Sequence, residues 1–99
     1  MTTTSTRVED ADIAGLLERV EKATGPNNRL DCEIDIALFK PDSLHASVRM
    51  NDAGTKLVYT RHDGRTDTYW SLDHTLTPER KRVAIALLRS LSQGAGHEQ

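Results

Sequence analysis

The spacing of the apolar residues changes from a helical period to a period of two, and then back to a helical period. Apolar residues recur at i, i+3, i+4 and i+7 between positions 13 and 20, as on one face of a helix. Between positions 44 and 51 they alternate with polar residues, which is typical of a half-buried strand. A broad helical apolar face returns over residues 83–91. Because a sheet with one apolar face needs a second layer, this order predicts an α+β fold.

Two helices are predicted before the first strand. The first begins near Asp10 and ends at Gly25-Pro26, because Gly accepts the left-handed C-terminal conformation and Pro cannot continue the helix. Asn27 or Asn28 can cap the second helix, which closes before Pro41. Apolar residues lie on two sides of this second helix, so we expect it to be sandwiched between neighbouring elements.

A three-stranded antiparallel meander and a C-terminal helix are predicted in the second half of the chain. The expected strands cover residues 44–51, 56–61 and 67–72. Thr77-Pro78 provides a hydroxyl cap followed by proline at the first helical position, and the helix that it opens should end before Gly94. We expect this helix to pack on the sheet, and the sequence leaves open whether helices cover one face or both.

The chain of 99 residues is long enough for one domain with one core. We assign that domain to residues 9–93, between a flexible Thr/Ser-rich lead at 1–8 and a flexible polar tail at 94–99. No stretch approaches the roughly 18 consecutive apolar residues of a membrane span, and the start lacks the pattern of a secretory signal. These features predict a cytoplasmic protein with no membrane segment.

Several kinds of chemistry lack their usual sequence signature. His45, His62, His74 and Cys32 are not spaced as zinc ligands, and no Gly-rich phosphate loop is present. We therefore expect no metal, no cofactor and no enzymatic activity. A small enzyme with Cys32, Asp73 and His74 in one pocket is kept as the third hypothesis, after two kinds of binding protein.

Most of the chain resembles a family of small proteins from bacteriophages and prophages. The resemblance lies in a helix at 16–24, then a Gly-Pro turn and an Ile/Ala-rich helix over Gly25–Leu38, followed by Tyr69–Leu76 and the Ala/Leu-rich Ala84–Arg89. This pattern resembles the phage α-β-α sandwich proteins, although Arg29 stands where that family usually has Glu. The resemblance implies a compact accessory protein without an assigned enzymatic activity, of a kind that includes inhibitors of host defence such as anti-CRISPR proteins.

Two surfaces are candidates for binding a partner. The first forty residues hold eight acidic and five basic side chains, so an acidic helix face can meet a basic groove, although a solvated helix face explains the same pattern. Basic and aromatic residues are interleaved along the strands. The residues predicted to bind a partner are Glu18, Glu21, Arg49, Arg61, Tyr69 and Trp70.

The first hypothesis is therefore a non-enzymatic protein that binds a host protein complex, for example a CRISPR effector, in the cytoplasm of the bacterial host. The second is an accessory module that binds nucleic acid through the sheet. It ranks lower because the net charge of −2 provides no strongly positive field. Pairing of edge strands between two copies would also give a homodimer, and the sequence leaves this open.

Overall fold

The computed structural model describes residues 10–97, which form three helices and one three-stranded sheet. The elements are α1 (Asp10–Lys22), α2 (Asn28–Leu38), β1 (His45–Met50), β2 (Leu57–Arg61), β3 (Thr66–Tyr69) and α3 (Pro78–His97). The sheet is an antiparallel meander in the order β1-β2-β3. The predicted α+β class and the order of its elements are confirmed. The lead at 1–8 lies outside the described residues.

The three helices share one hydrophobic core, in which α1 packs on α3 and α2 contacts both. The buried side chains of this core are Ile13, Leu16, Val20, Leu30, Ile34, Ala37, Ala84 and Leu88. The position of α3 differs from the expectation that it would pack on the sheet. Ala84 and Leu88 direct α3 into the helical core, and α2 is the helix that lies against β1.

The second helix lies between the other two helices and the sheet, as its two apolar sides predict. Asn27 is its N-cap, and the side chain of Asn27 accepts a hydrogen bond from the backbone N–H of Leu30 at 3.0 Å. Leu30 and Ile34 join the helical core, whereas Cys32 is fully buried outside that cluster. The same helix therefore anchors both layers of the protein.

Side chains alternate between the two faces of the sheet, and contacts identify the face that lies toward α2. Tyr59 on β2 is opposite Val48 on β1 and Asp67 on β3. The ring of Tyr59 also lies against Phe39, the C-cap residue of α2, with centroids 5.9 Å apart. Because alternate residues of a strand share a face, Leu57, Tyr59 and their cross-strand partners face α2. We call this the helix-facing side.

Most predicted boundaries differ from the structure by one or two residues, and two differ by three or more. The third strand ends at Tyr69 and not at Leu72, because the chain after Tyr69 leaves the sheet and bonds to α2. The last helix continues past Gly94 to His97, since an isolated glycine weakens a helix by only about 1 kcal/mol. Among residues 10–97, no helix combines the length and the apolar character needed to cross a membrane.

Candidate binding surface

The helix-facing side of the sheet carries a closed cluster of charges. Arg61 on β2 donates two hydrogen bonds of 2.8 Å to the carboxylate of Asp67 on β3. On the other side, the ring Nε2 of His45 lies 2.9 Å from Asp67 Oδ2. The bonds from Arg61, and then the bond from His45, lower the pKa of Asp67 from 3.8 to about 2. These three side chains therefore bond to one another within the protein.

Tyr59 fills the space beside this cluster. Its ring centroid lies 5.1 Å from that of His45 and 5.7 Å from that of Tyr69. Burial raises the pKa of the Tyr59 phenol, and the nearby carboxylate of Asp35 adds to the shift. The phenol therefore stays protonated at neutral pH, and the aromatic contacts make this side part of the packed interior.

A buried carboxylate of α2 anchors the segment between β3 and α3, which we call the 70–77 loop. Asp31 is only 4% exposed, and its Oδ1 accepts hydrogen bonds of 2.8 Å from both the backbone N–H and the hydroxyl of Thr75. The Thr75 hydroxyl oxygen also accepts a hydrogen bond of 2.8 Å from the backbone N–H of Asn27. A buried charge is tolerated when hydrogen bonds satisfy it. Thr75 is therefore a fixed point of the loop.

One helical turn further along α2, Asp35 holds the middle of the same loop. Its Oδ2 accepts the backbone N–H of Leu72 at 2.9 Å, and its Oδ1 lies 2.6 Å from Nε2 of His74. The side chains of His74 and Asp35 are only 12% and 14% exposed. Because Asp31 and Asp35 are four residues apart, they lie on one face of α2 and hold the loop together.

This anchored loop exposes large apolar side chains. Trp70 is 66% exposed, Leu72 is 67% exposed and Leu76 is 47% exposed. Apolar side chains on a mobile segment would lose conformational entropy on binding a partner, whereas a loop that is already fixed avoids most of that loss. Trp is also among the residues most enriched at the energetic centres of protein interfaces. The 70–77 loop is thus a preorganised apolar surface.

The second face of the sheet is uncovered by any helix of the described part of the chain. By alternation along β1, β2 and β3, this face comprises Ser47, Arg49, Val58, Thr60, Thr66 and Thr68. Lys56, just before β2, and Trp70, just after β3, extend it, and we call these eight residues the open face. Val58 forms its buried centre, and the hydroxyls and cations surround it. The ammonium of Lys56 lies 4.7 Å from the ring centroid of Trp70, in a cation–π contact. Trp70 therefore belongs to both the loop and the open face.

The open face carries cations without accompanying acids. None of its eight residues is Asp or Glu, and Asp67 of β3 points to the helix-facing side. Within residues 10–97, neither Arg49 nor Lys56 forms an ion pair, unlike Arg61 on β2 and Arg65 in the turn that follows β2.

The six residues predicted to bind a partner lie on three different surfaces. Arg49 and Trp70 are on the open face. Arg61 and Tyr69 are on the helix-facing side, where both make contacts within the protein. The two acids of α1 are ion-paired: Glu18 with Lys22 at 3.0 Å and Glu21 with Arg89 at 2.7 Å.

The three residues of the hypothetical enzyme are in different environments. Cys32 is fully buried, and burial raises the pKa of its thiol, so the reactive thiolate is disfavoured. His74 pairs with Asp35, whereas its neighbour Asp73 is exposed. Over residues 10–97, no group of three His, Cys, Asp or Glu side chains is placed to hold a metal ion.

A shallow depression between α1 and α2 has a volume of about 290 Å³. Its lining residues are Arg19, Lys22, Ala23, Asn27, Arg29, Leu30 and Glu33. Glu33 forms ion pairs with both Arg19 and Arg29, and Lys22 pairs with Glu18. The cations of this depression are thus bonded to carboxylates of the same protein, unlike those of the open face.

The 70–77 loop was not recognised as an exposed surface from the sequence. The turn at Asp63-Gly64 and the residue types of 67–72 indicated a third strand, and a strand would have placed Leu72 in the sheet. One signal was available: Asp31 and Asp35 lie between apolar positions of α2 and need polar partners. The Thr75 hydroxyl and the His74 imidazole supply these partners. Only the fold shows that Thr75 and His74 lie close to α2.

Comparison with known proteins identifies no relative, because no protein-family model, curated protein or solved structure matches the chain. The resemblance to the phage α-β-α sandwich proteins therefore stays a prediction from the sequence. The candidate surface rests on the contacts within this protein alone.

Proposed function

We propose that this protein acts by binding a protein partner through the 70–77 loop and the adjoining open face of the sheet, without catalysis. The observation that carries the proposal is the fixing of an apolar loop by Asp31 and Asp35. Three large apolar side chains stand exposed on a segment whose backbone and polar groups are bonded to a helix. Such a loop favours association with another apolar surface over any role inside the protein.

The partner that we propose is a host defence complex, such as a CRISPR effector, in the cytoplasm of a bacterium that carries the phage or prophage. The resemblance of Gly25–Leu38 and Tyr69–Leu76 to phage α-β-α sandwich proteins supports this part. Production of the protein in a bacterium with active CRISPR immunity should then raise the plating efficiency of a targeted phage. Unchanged plating on strains with each class of effector would count against this choice of partner.

The binding surface is tested by comparing two serine variants with the unmodified protein in capture from a bacterial lysate. The loop variant carries Trp70→Ser, Leu72→Ser and Leu76→Ser. The control carries Val83→Ser and Leu87→Ser, which remove the exposed apolar side chains of α3. We expect the unmodified protein and the control to retain the same proteins after nuclease treatment, and the loop variant to lose them.

Circular dichroism of both variants tests whether they keep the fold, and with the fold kept a loss of capture reports on the surface. Equal retention by the loop variant would show that the 70–77 loop is not the contact. Retention of a defence complex that depends on the loop would support the whole proposal.

A nucleic-acid-binding module is the second candidate function, and one observation favours it. Lys56 lies over the exposed indole of Trp70, and Arg49 is on the same face, which has no acid. Such a face suits phosphates beside a stacked base. This candidate predicts retention on single-stranded DNA that weakens steeply as salt rises, and no retention at low salt would exclude it.

A further inference from the structure

We infer that the partner presents an extended acidic segment to the open face of the sheet, with carboxylates near Arg49 and Lys56. This inference rests on the proposed function and specifies the chemistry of the partner at that site. The 70–77 loop supplies apolar contact, whereas the open face supplies charge. Trp70 joins the two areas, so one partner can contact both.

The first argument is the pairing of the cations in the sheet. On β2 and the turn that follows it, Arg61 bonds to Asp67 and Arg65 bonds to Asp63 at 3.0 Å. Arg49 and Lys56 have no such carboxylate within residues 10–97. Cations that the protein leaves without an anion complement an acidic partner, since complementary potential directs association and its specificity.

The second argument is the spacing of the two cations. Arg49 is directly opposite Val58 on β2, and Lys56 lies just before β2, where its carbonyl accepts a hydrogen bond from the backbone N–H of Asn51 at 3.0 Å. Diagonal positions of this kind are about 7–8 Å apart across an antiparallel pair. Acidic residues at alternate positions of an extended chain are also about 7 Å apart. An extended segment with an acid at every second position therefore matches the spacing at which these two side chains leave the backbone, with the Lys56 ammonium directed toward Trp70.

The third argument distinguishes a protein segment from a nucleic acid. Affinity for nucleic acid depends on neutralising many phosphates, and the open face offers only Arg49 and Lys56. The net charge of −2 and the acids of α1 would repel a long polyanion. The exposed apolar side chains of the 70–77 loop, of which Trp70 contacts Lys56, suit an apolar protein surface. These features together favour an acidic segment of a protein.

The inference is tested with an eight-residue peptide of alternating Glu and Ser, with a Lys/Ser peptide of the same length as the reverse-charge probe. Trp70 is the sole tryptophan, so its fluorescence reports directly on the open face. We expect the Glu/Ser peptide to change the emission with an affinity that falls as salt rises, and the Lys/Ser peptide to have no effect.

Two charge variants with equal net charge make the test specific. Arg49→Glu with Lys56→Glu should raise the half-saturating concentration of the Glu/Ser peptide by about tenfold or more, because two attractions become repulsions. Arg80→Glu with Arg82→Glu, at exposed positions of α3, should leave it within about twofold. Lys56 contacts the Trp70 ring, so replacing it can change the emission of the free protein. The half-saturating peptide concentration of each variant does not depend on that starting emission.

Three outcomes would overturn the inference: no response to the Glu/Ser peptide, an equal loss in both charge variants, or tighter binding of oligothymidylate that depends on Arg49 and Lys56. Tighter binding of oligothymidylate would show that the ligand of the open face is a nucleic acid and not an acidic protein segment. The capture experiment tests the proposed function independently of this inference. If the loop variant still loses its captured partner while the Arg49/Lys56 variant keeps it, the protein-binding proposal stands and the acidic segment is rejected.

Discussion

The two faces of the sheet use similar residue types for opposite purposes. On the helix-facing side, Arg61 bonds to Asp67, and the aromatic ring of Tyr59 is packed among other rings. On the open face, Arg49 has no carboxylate partner among residues 10–97, and Trp70 is two-thirds exposed. Each face has cations and aromatic rings, but only one face satisfies its charge within the protein.

This difference separates residues that maintain the fold from residues that are available for binding. A charged group with a complete set of partners contributes to one structure, and removing a partner destabilises that structure. A cation exposed without a partner contributes little to stability and is free to bind another molecule. The helix-facing side should therefore respond to mutation through stability, and the open face through binding.

The largest expected effect comes from Leu57, which is 1% exposed and points to the helix-facing side. Leu57→Ala should lower the free energy of unfolding by about 3 kcal/mol, because it removes buried methyl groups and leaves a cavity. The adjacent Val58 has the opposite orientation. Val58 is 8% exposed, so Val58→Thr should lower the free energy of unfolding by about 1–2 kcal/mol, because the side-chain volume is kept but a hydroxyl enters a largely buried position beside other threonines. Urea denaturation of both variants measures the two values.

Equal losses in these neighbouring variants would contradict the comparison. They would mean that the open face is covered in the folded protein and is not available to a partner. A small loss at Leu57 would instead show that the sheet is poorly packed on α2.

The general fold was predictable because the spacing of the apolar residues indicates directly whether each element is a helix or a strand. The predicted cap at Asn27 and the position of α2 between two layers were also confirmed. The site was less predictable, because burial of each face depends on which helix covers the sheet. A pattern of alternating residues shows that Tyr69 and Trp70 have opposite orientations, but not which of them faces α2.

The packing of α3 shows a second limit of sequence reasoning. A broad apolar face predicts that a helix packs on something, and the apolar residues of α3 suited the sheet and the helices equally well. The structure buries Ala84 and Leu88 among helices and leaves Val83 and Leu87 exposed. Distant partners such as Asp35 and His74, 39 positions apart in the chain, likewise had no local signal.

The next effect concerns the pair that fixes the 70–77 loop. His74→Ala removes the partner of Asp35 Oδ1 in a site where both side chains are largely buried. We expect a loss of about 2 kcal/mol in the free energy of unfolding, because a buried carboxylate loses a hydrogen bond to a ring N–H. His74→Gln should restore part of this loss, since an amide N–H can replace the ring donor. Thermal and urea denaturation measure both variants.

The neighbouring residue provides the control for this pair. Asp73 is exposed, so Asp73→Ala should change stability by no more than about 0.5 kcal/mol. If His74→Ala were as mild as Asp73→Ala, the loop would not be held by α2, and the preorganisation that supports the proposed function would be absent.

The smallest expected effect is the dependence of stability on pH that arises from Asp67. Hydrogen bonds from Arg61 and His45 lower the pKa of Asp67 from 3.8 to about 2. A carboxyl with a lowered pKa in the folded state stabilises the protein above the pKa of the unfolded chain, and loses that contribution as the pH falls through the folded value. The contribution of Asp67 should therefore be complete at pH 5 and decline between about pH 4 and pH 2.

Comparison with Asp67→Asn isolates this effect from the other carboxyls, including Asp42 and Asp63, whose pKa values are also lowered. The difference in urea midpoint between the unmodified protein and Asp67→Asn should be larger at pH 5 than at pH 2.5. Because asparagine does not titrate, the change in that difference reports on Asp67 and its bonds. A difference that stays constant between the two pH values would show that Arg61 and His45 do not favour the charged form of Asp67. The helix-facing side would then be no better satisfied than the open face, and the distinction between them would fail.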